Sequence, residues 1–406
     1  MTYFSRLSPW SARLILAIVV VLVGLGALVH PTPHLAHLAP PGAGDEQLYR
    51  GIVDRISHGQ DYYHAAAAEH RARSYPTYPP QVFRQPLLAT ILAAIPSDGL
   101  RRLALLALSV VAFFALRSAL VCSGINTRLR IFALFCIGTG FGIAWFPGAQ
   151  YIHEVWAALL IALSLAWYRQ GWWIRAVLLG FCACLFRELA LPYLAAMAAF
   201  ALWERKYAEL ASWVAAMLIF SGIYAWHLSI ARTLPQHGDL ISAGWLYYGG
   251  WGFALETAKR NYALIEAPYF IVAFAVCASL LGLLSHPDRW FSRMALIVGG
   301  YLTAFLFVGR PDTSYWGMLF SPLLPIGVAL SPPALRDLIE RAWAGHPAPA
   351  ALVALRSGWR RRRGQLRNAV RNNPVYRRSI ERLVALDQRL SGVPANSGNG
   401  HDAVSE

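Results

Sequence analysis

The stretch GFCACLFRELALPYL, residues 180–194, places Arg187 and Glu188 inside an otherwise apolar run. The apolar residues on either side, about 174–186 and 189–203, read as two helices that meet at this charged pair. Each is shorter than the roughly 20 residues that span a bilayer, so the two must tilt or thin the membrane locally. Tips between short helices are usually built from Gly, Asn or Ser. An arginine and a glutamate there point to a function, because charges at membrane depth are expensive. The plainer alternative is a hairpin apex whose two charges are solvated or paired.

The rest of the composition agrees with a membrane setting. Of 406 residues, 57% are hydrophobic and only 14% charged, against about 25% charged in soluble proteins. Long runs rich in Leu and Ala, rather than short alternating ones, predict an all-α polytopic membrane protein and exclude a β-barrel. The five cysteines lie in or beside apolar segments, which suggests neither a disulfide framework nor a zinc site. The first apolar run, Leu14 to Val29, has no convincing small-residue cleavage site and reads as a retained signal anchor.

Apolar length marks segments at 14–30, 101–121, 131–149, 155–168, 174–186, 189–203, 209–230, 268–285, 294–308 and 317–332. The run at 86–97 is too short to cross and reads as a re-entrant or interfacial helix. Arg6 and Arg13 precede the first segment, which orients the N-terminus to the cytoplasm. About ten spans then return the C-terminus to the same side, with Arg128/Arg130, Arg169/Arg175, Arg205/Lys206 and Arg289/Arg293 in the short loops there. Arg101 and Arg102 fall at an outer end and break the pattern. Residues 1–335 form the membrane domain and 31–86 a long first outer loop. Residues 336–406 form a basic, partly disordered tail, with eleven arginines between 356 and 389. A basic tail after a last membrane helix implies anionic lipid as partner and argues against nucleic acid.

In this frame three polar clusters collect on the outer face: the 45–84 loop, the Arg187-Glu188 tip, and the loops 231–266 and 309–316. In PPGAGDEQLYRG, residues 40–51, Asp45 and Glu46 follow a Pro/Gly break and open an amphipathic helix. Leu48, Ile52 and Ile56 share its apolar face, which is expected to lie on the membrane surface. Asp45 then serves as helix cap with Glu46 favouring the dipole, or it is a general base that takes a proton from a hydroxyl. Tyr62 and Tyr63 fit an interfacial aromatic belt or a substrate contact. Arg84, just ahead of Pro86, offers bidentate donors for a phosphate near the headgroups. His58, His64 and His70 lack a clean metal-ligand spacing. His153 and Glu154 in QYIHEVW read as a helix start or a polar entrance. In GRPDTSYWG, residues 309–317, Arg310 is paired with Asp312, which also fits a cap, and Tyr315 follows.

Taken in order, GDEQLY (44–49), GQDYY (59–63), the YP…P…RQPLLA passage (75–89), GFCACLFRELALPYL and the Arg-bearing outer loop before the last span resemble the GT-C superfamily of membrane glycosyltransferases. The resemblance covers residues 14–330 and is greatest to the bacterial mannosyltransferase-like branch with about ten spans. RQPLL stands where the aminoarabinose and protein mannosyltransferase branches carry HPPL, and no large soluble C-terminal domain of the oligosaccharyltransferase kind is visible.

The resemblance implies an inverting hexosyltransferase with its active site on the outer face; Arg and Ala richness with short loops favours a bacterial inner membrane, which makes that face periplasmic or extracellular. The donor is a polyprenyl-phosphate sugar and the acceptor a glycan or lipid hydroxyl. Asp45, with Glu46 second, is the catalytic base. Arg84, Arg187 and Arg310 bind the donor phosphate. Glu188, Tyr62, Tyr63, His153, Glu154, Asp312 and Tyr315 line the substrate. No cofactor is firmly implied, and a divalent metal stays open. The competing class is a transporter or flippase of lipid-linked sugars, which would show internal repeats and polar residues at mid-membrane; the polar residues here gather at one face instead.

Overall fold

The computed structural model describes residues 2–30 and 44–344. The arginine-rich stretch and the first part of the outer loop lie outside the described residues. Among those described there is no β-strand, only isolated bridges between Tyr78 and Ile241 and between Leu246 and Val308.

In chain order the helices are α1 (Pro9–Ala27), α2 (Asp45–Ser57), α3 (Tyr62–Ala72), α4 (Pro86–Ala94), α5 (Asp98–Cys122), α6 (Thr127–Phe141) and α7 (His153–Arg169). They continue with α8 (Trp173–Phe186), α9 (Leu191–Trp203), α10 (Tyr207–Ala231), α11 (Gly250–Ala258), α12 (Tyr269–Ser285), α13 (Arg289–Ala304) and α14 (Leu324–Ala342). Four are long and apolar enough to cross a membrane by length and composition: α1, α5, α10, and α6 with its 3-10 extension to Trp145. A fifth is counted if Pro311–Leu319 and α14, bent by 73° at the break between them, form one span. α8 is about 21 Å long at 1.5 Å per residue, short of a hydrocarbon core of about 30 Å. The large apolar side chains Leu218, Ile219 and Trp226 of α10 point outward, as lipid-facing residues do.

Side-chain contacts sort the connections into two layers at opposite ends of the bundle. At the end that holds the N-terminus, the Thr2 backbone N–H and hydroxyl donate to Asp337 at 3.0 and 2.9 Å. Arg13 donates to the Ala342 carbonyl at 2.8 Å. Arg169 reaches Asp288 at 2.8 Å in the same layer. At the far end Arg50 pairs with Asp98 at 2.5 Å, and Arg102 donates to the Trp145 carbonyl at 2.8 Å. The far layer gathers residues 44–98, the 142–151 turns, the Arg187-Glu188 tip, 232–268 and 305–320.

Four expectations change. The apolar face of α2, made by Leu48, Tyr49, Ile52 and Val53, is buried within the main core beside Leu88, Ala89 and Leu92 of α4. It is therefore covered by protein and cannot lie on lipid. Arg101 is not a stray outer charge, because it is 5% exposed and its Nε donates to the Leu92 carbonyl at 2.8 Å. It also bonds Asp98 and Tyr151, so it closes the C-terminal end of α4. The last helix begins at Leu324 rather than 317, because residues 311–319 wind as a separate 3-10 segment. Finally, residues 336–342 belong to α14 and not to a tail.

α7 is central. Every residue from His153 to Ala166 is buried. A helix apolar all round is one enclosed by other helices. Its first turn carries His153 and Glu154 into the interior of the far layer.

Candidate functional site

The site is assembled from α2, the 76–85 connector, the start of α7, the α8–α9 tip and the 311–319 segment. Gly44 holds the cap position of α2 and has no side chain to cap it, so Asp45 and Glu46 occupy the first turn and not the cap position. There they oppose the positive end of the helix dipole. α3 has a true cap in Asp61, which accepts from the Tyr63 and His64 amides at 2.9 and 3.3 Å. That cap turns Tyr62 inward, where its hydroxyl donates to the Arg84 carbonyl. Tyr63 faces α10 instead. His227 donates from Nε2 to the Phe83 carbonyl at 3.2 Å, which leaves Nδ1 to accept from the Tyr63 hydroxyl at 3.2 Å.

Arg84 and Arg187 form the core of the cluster. Arg84 donates from Nε to the Tyr49 hydroxyl at 2.9 Å and from Nη2 to the Tyr315 hydroxyl at 3.2 Å. Arg187 is fully buried. Its Nη1 donates to Glu188 at 2.6 Å, and its Nε lies 2.6 Å from Glu154 but out of line for a hydrogen bond. The face of Trp316 lies 5.7 Å from the guanidinium carbon. A buried arginine needs such compensation, since an isolated charge in a dry interior is prohibitively costly.

Compensation by hydrogen bonding is incomplete. Arg187 Nη2, both oxygens of Glu154, Trp316 Nε1 and Gln150 Oε1 have no hydrogen-bond partner among the described residues. Buried polar atoms in native proteins are nearly always satisfied, by protein, water or a ligand. Several such exceptions lie around the Arg187 guanidinium. His153 also stands edge-on to Tyr49, with centroids 4.6 Å apart. Tyr49, Tyr62, Tyr151 and His153 border a cavity of about 10 Å³, room for a single water.

The two carboxylates diverge. Asp45 accepts from the Tyr75 hydroxyl at 3.0 Å, and its charge is felt at Tyr49 and Tyr315. Glu46 turns away onto Gly148, where a Cβ would fall 2.0 Å from the Glu46 carboxyl carbon. Gly148 also has φ +82°, a left-handed conformation that favours glycine. Burial, reinforced by the Asp45 charge, pushes the Tyr49 and Tyr75 phenols well above their ordinary value. Both stay protonated at neutral pH: Tyr75 donates to Asp45, while Tyr49 accepts from Arg84. Burial pushes His70 down to about 4, so its ring is neutral and donates from Nδ1 to the Pro76 carbonyl at 2.7 Å.

Of the residues singled out from the sequence, Arg84, Arg187, Glu188, His153, Glu154, Tyr62, Tyr315 and Asp45 meet here. Arg310 and Asp312 do not. They pair with each other at 2.8 Å, Asp312 is largely exposed, and Arg310 reaches Ser242 at 3.3 Å. No described contact joins them to the arginine cluster, so they are a local clamp on the 242–246 loop. Tyr63 and Glu46 lie at the margin. Tyr49, Tyr75, Gln150 and Trp316 were not anticipated. Tyr49 had one legible signal, its place one helical turn after Asp45. Among the described residues no three His, Cys, Asp or Glu side chains gather as metal ligands. No family model, curated protein or solved structure matches the chain.

Proposed function

We propose that this chain is an integral membrane glycosyltransferase that moves a sugar from a polyprenyl-phosphate donor to a hydroxyl on a glycan or lipid acceptor. The observation that carries this reading is the cluster of fully buried Arg187 with half-buried Arg84, which has unused hydrogen-bonding atoms among the described residues and lies near Asp45, at one end of a bundle of apolar helices. In the reaction the acceptor hydroxyl attacks C1 of the sugar. Its proton passes to Asp45, the C1–O bond to the lipid phosphate breaks, and the bonding pair stays on the phosphate oxygen. Fixed arginine donors in a water-poor pocket stabilise such developing charge strongly. Glu154 and Glu188 balance the two guanidinium charges, so the phosphate is held by directed donors rather than by net charge. Glu188, His153 and Tyr315 meet the sugar hydroxyls.

The same proposal has ten helices crossing a bacterial inner membrane, with the N-terminal layer cytoplasmic and the arginine cluster periplasmic or extracellular. The basic tail binds anionic lipid. Binding of a polyprenyl-phosphate sugar to purified protein tests the phosphate site. Arg84→Ala should weaken binding by about 10- to 100-fold, the range for losing one or two charge-assisted hydrogen bonds. Unchanged donor affinity would remove Arg84 from the phosphate site.

A further inference from the structure

A second charged cleft lies at the opposite end of the bundle, in the layer that holds the N-terminus. Its volume is about 300 Å³, and it opens between the end of α7, the α9–α10 turn and the start of α13. Four cations and three carboxylates line it: Arg169, Lys206, Arg289 and Arg293 against Glu204, Glu209 and Asp288.

The carboxylates are already engaged. Glu204 takes both Nη groups of Arg293, at 3.0 and 2.8 Å. Arg293 is 2% exposed, lies against the rings of Tyr168 and Phe200 at 4.7 Å each, and has no partner at Nε. Asp288 is held by Arg169 at 2.8 Å. Glu209 accepts from Tyr168 and from the Trp213 indole. Two cations are left with capacity at the mouth. Arg289 is 3.7 Å from Glu204, beyond hydrogen-bond range, and its side chain is 61% exposed. Lys206 shares Glu204 at 2.8 Å and is 51% exposed.

The local backbone presents this pair deliberately. Arg205 has φ +56° just past the end of α9, where a glycine is the usual choice. The Lys206 amide donates back to the Ala201 carbonyl at 2.9 Å. This turn aims Glu204 inward and Lys206 outward. Arg289 lies 5.5 Å over the ring of Trp203, which is exposed, as are Leu202 and Tyr207 beside it. Exposed aromatic and aliphatic side chains next to cations mark the boundary between hydrocarbon and headgroups.

We propose that this cleft binds a phosphate group, with Lys206 and Arg289 as its primary ligands. The position at the headgroup boundary makes an anionic phospholipid the natural source, as basic pockets between membrane helices take lipid phosphates. A free phosphate has the same chemistry and is separated from the lipid by the test.

The full chain in neutral detergent is titrated with phosphatidylglycerol, phosphatidylcholine or inorganic phosphate, and retained ligand is counted by native mass spectrometry. Wild type should retain phosphatidylglycerol, and Lys206→Ala/Arg289→Ala should lose at least about tenfold in affinity. Both side chains are exposed, so the variant should keep the wild-type melting temperature without lipid. Arg175→Ala, a basic change in the same layer but outside the cleft, should bind as wild type. Inorganic phosphate binding that is lost in the same double variant, without retention of the lipid, supports the site with a soluble ligand. Equal retention by wild type and the double variant, equal loss in Arg175→Ala, or retention of phosphatidylcholine to the same degree overturns the proposal.

Discussion

At the scale of single residues, Asp45 and Tyr49 sit one turn apart on α2: Asp45 accepts from Tyr75, and Tyr49 accepts from Arg84. Nothing in GDEQLYRG separates Asp45 from Glu46 by type. The difference comes from Gly148, more than a hundred residues away, which draws Glu46 aside. Long-range pairings such as Arg84 with Tyr315, or Arg187 with Glu154, were equally hidden, since each joins segments that only the tertiary fold brings together. What could be read was chemical type: charged residues in apolar surroundings, each too costly to bury without purpose. His70 gives a prediction at this scale. Its folded value of about 4 lies below the ordinary 6.5, so the unfolded chain binds a proton that the folded chain does not across that window. The associated stability is complete above pH 6.5 and falls as the pH drops toward 4, by about 3 kcal/mol at the limit. Glu69 is shifted downward as well: burial opposes the shift, but bonds from Arg55 and Arg73 outweigh it. Its effect falls at still lower pH, so the two separate. The fall in melting temperature from pH 7 to pH 5 should be smaller in His70→Gln than in wild type; His286, also pushed down by burial, leaves a remainder in both proteins. An identical pH dependence in both proteins would refute this assignment.

At the scale of elements, the apolar runs located most helices to within a few residues, because a membrane helix is specified by length and composition more than by capping. The misses have physical causes. An amphipathic stripe reads the same whether protein or lipid will cover it, so the sequence alone does not tell that α2 packs on α4 rather than on the membrane. The run from 131 to 149 counted apolar residues that in fact wind as short 3-10 turns around Gly142 and Gly148. Small residues in the apolar runs carried a signal that hydropathy ignores. α12 and α14 meet through Gly282 and Gly327: a Cβ on Gly282 would lie 1.9 Å from the Gly327 carbonyl oxygen, and one on Gly327 2.2 Å from that of Ser279. Such close backbone approach is the usual means by which membrane helices gain packing energy. Gly282→Ala must push two backbones apart and should cost about 1–3 kcal/mol. A lower melting temperature in detergent is expected, whereas Gly300→Ala, where a Cβ would meet nothing within 4 Å, should leave it unchanged. A Gly282→Ala protein as stable as wild type would contradict the close α12–α14 contact.

At the scale of the whole molecule, the two-layer arrangement separates chemistry by end, with the arginine–carboxylate cluster in one layer and the basic cleft in the other. The basic loop residues read from the sequence do cluster in the N-terminal layer, and Arg101, which broke the pattern, is explained as a cap on α4. Membrane sidedness is tested by thiol labelling in a Cys122→Ser background. His237→Cys should react with an impermeant reagent on intact cells, and Arg175→Cys only after permeabilisation; labelling of both from one side would refute the proposed topology. The central claim concerns the carboxylate above the arginines. Asp45→Asn keeps shape and can still accept from the Tyr75 hydroxyl, so it removes basicity with little else. The decisive measurement is the rate of sugar transfer from a radiolabelled polyprenyl-phosphate donor to a lipid or glycan acceptor by wild type and Asp45→Asn in reconstituted membranes. The account predicts transfer by wild type and a fall of about 10²- to 10⁴-fold in the variant, the usual loss on removing a general base. Transfer by Asp45→Asn at the wild-type rate would contradict it.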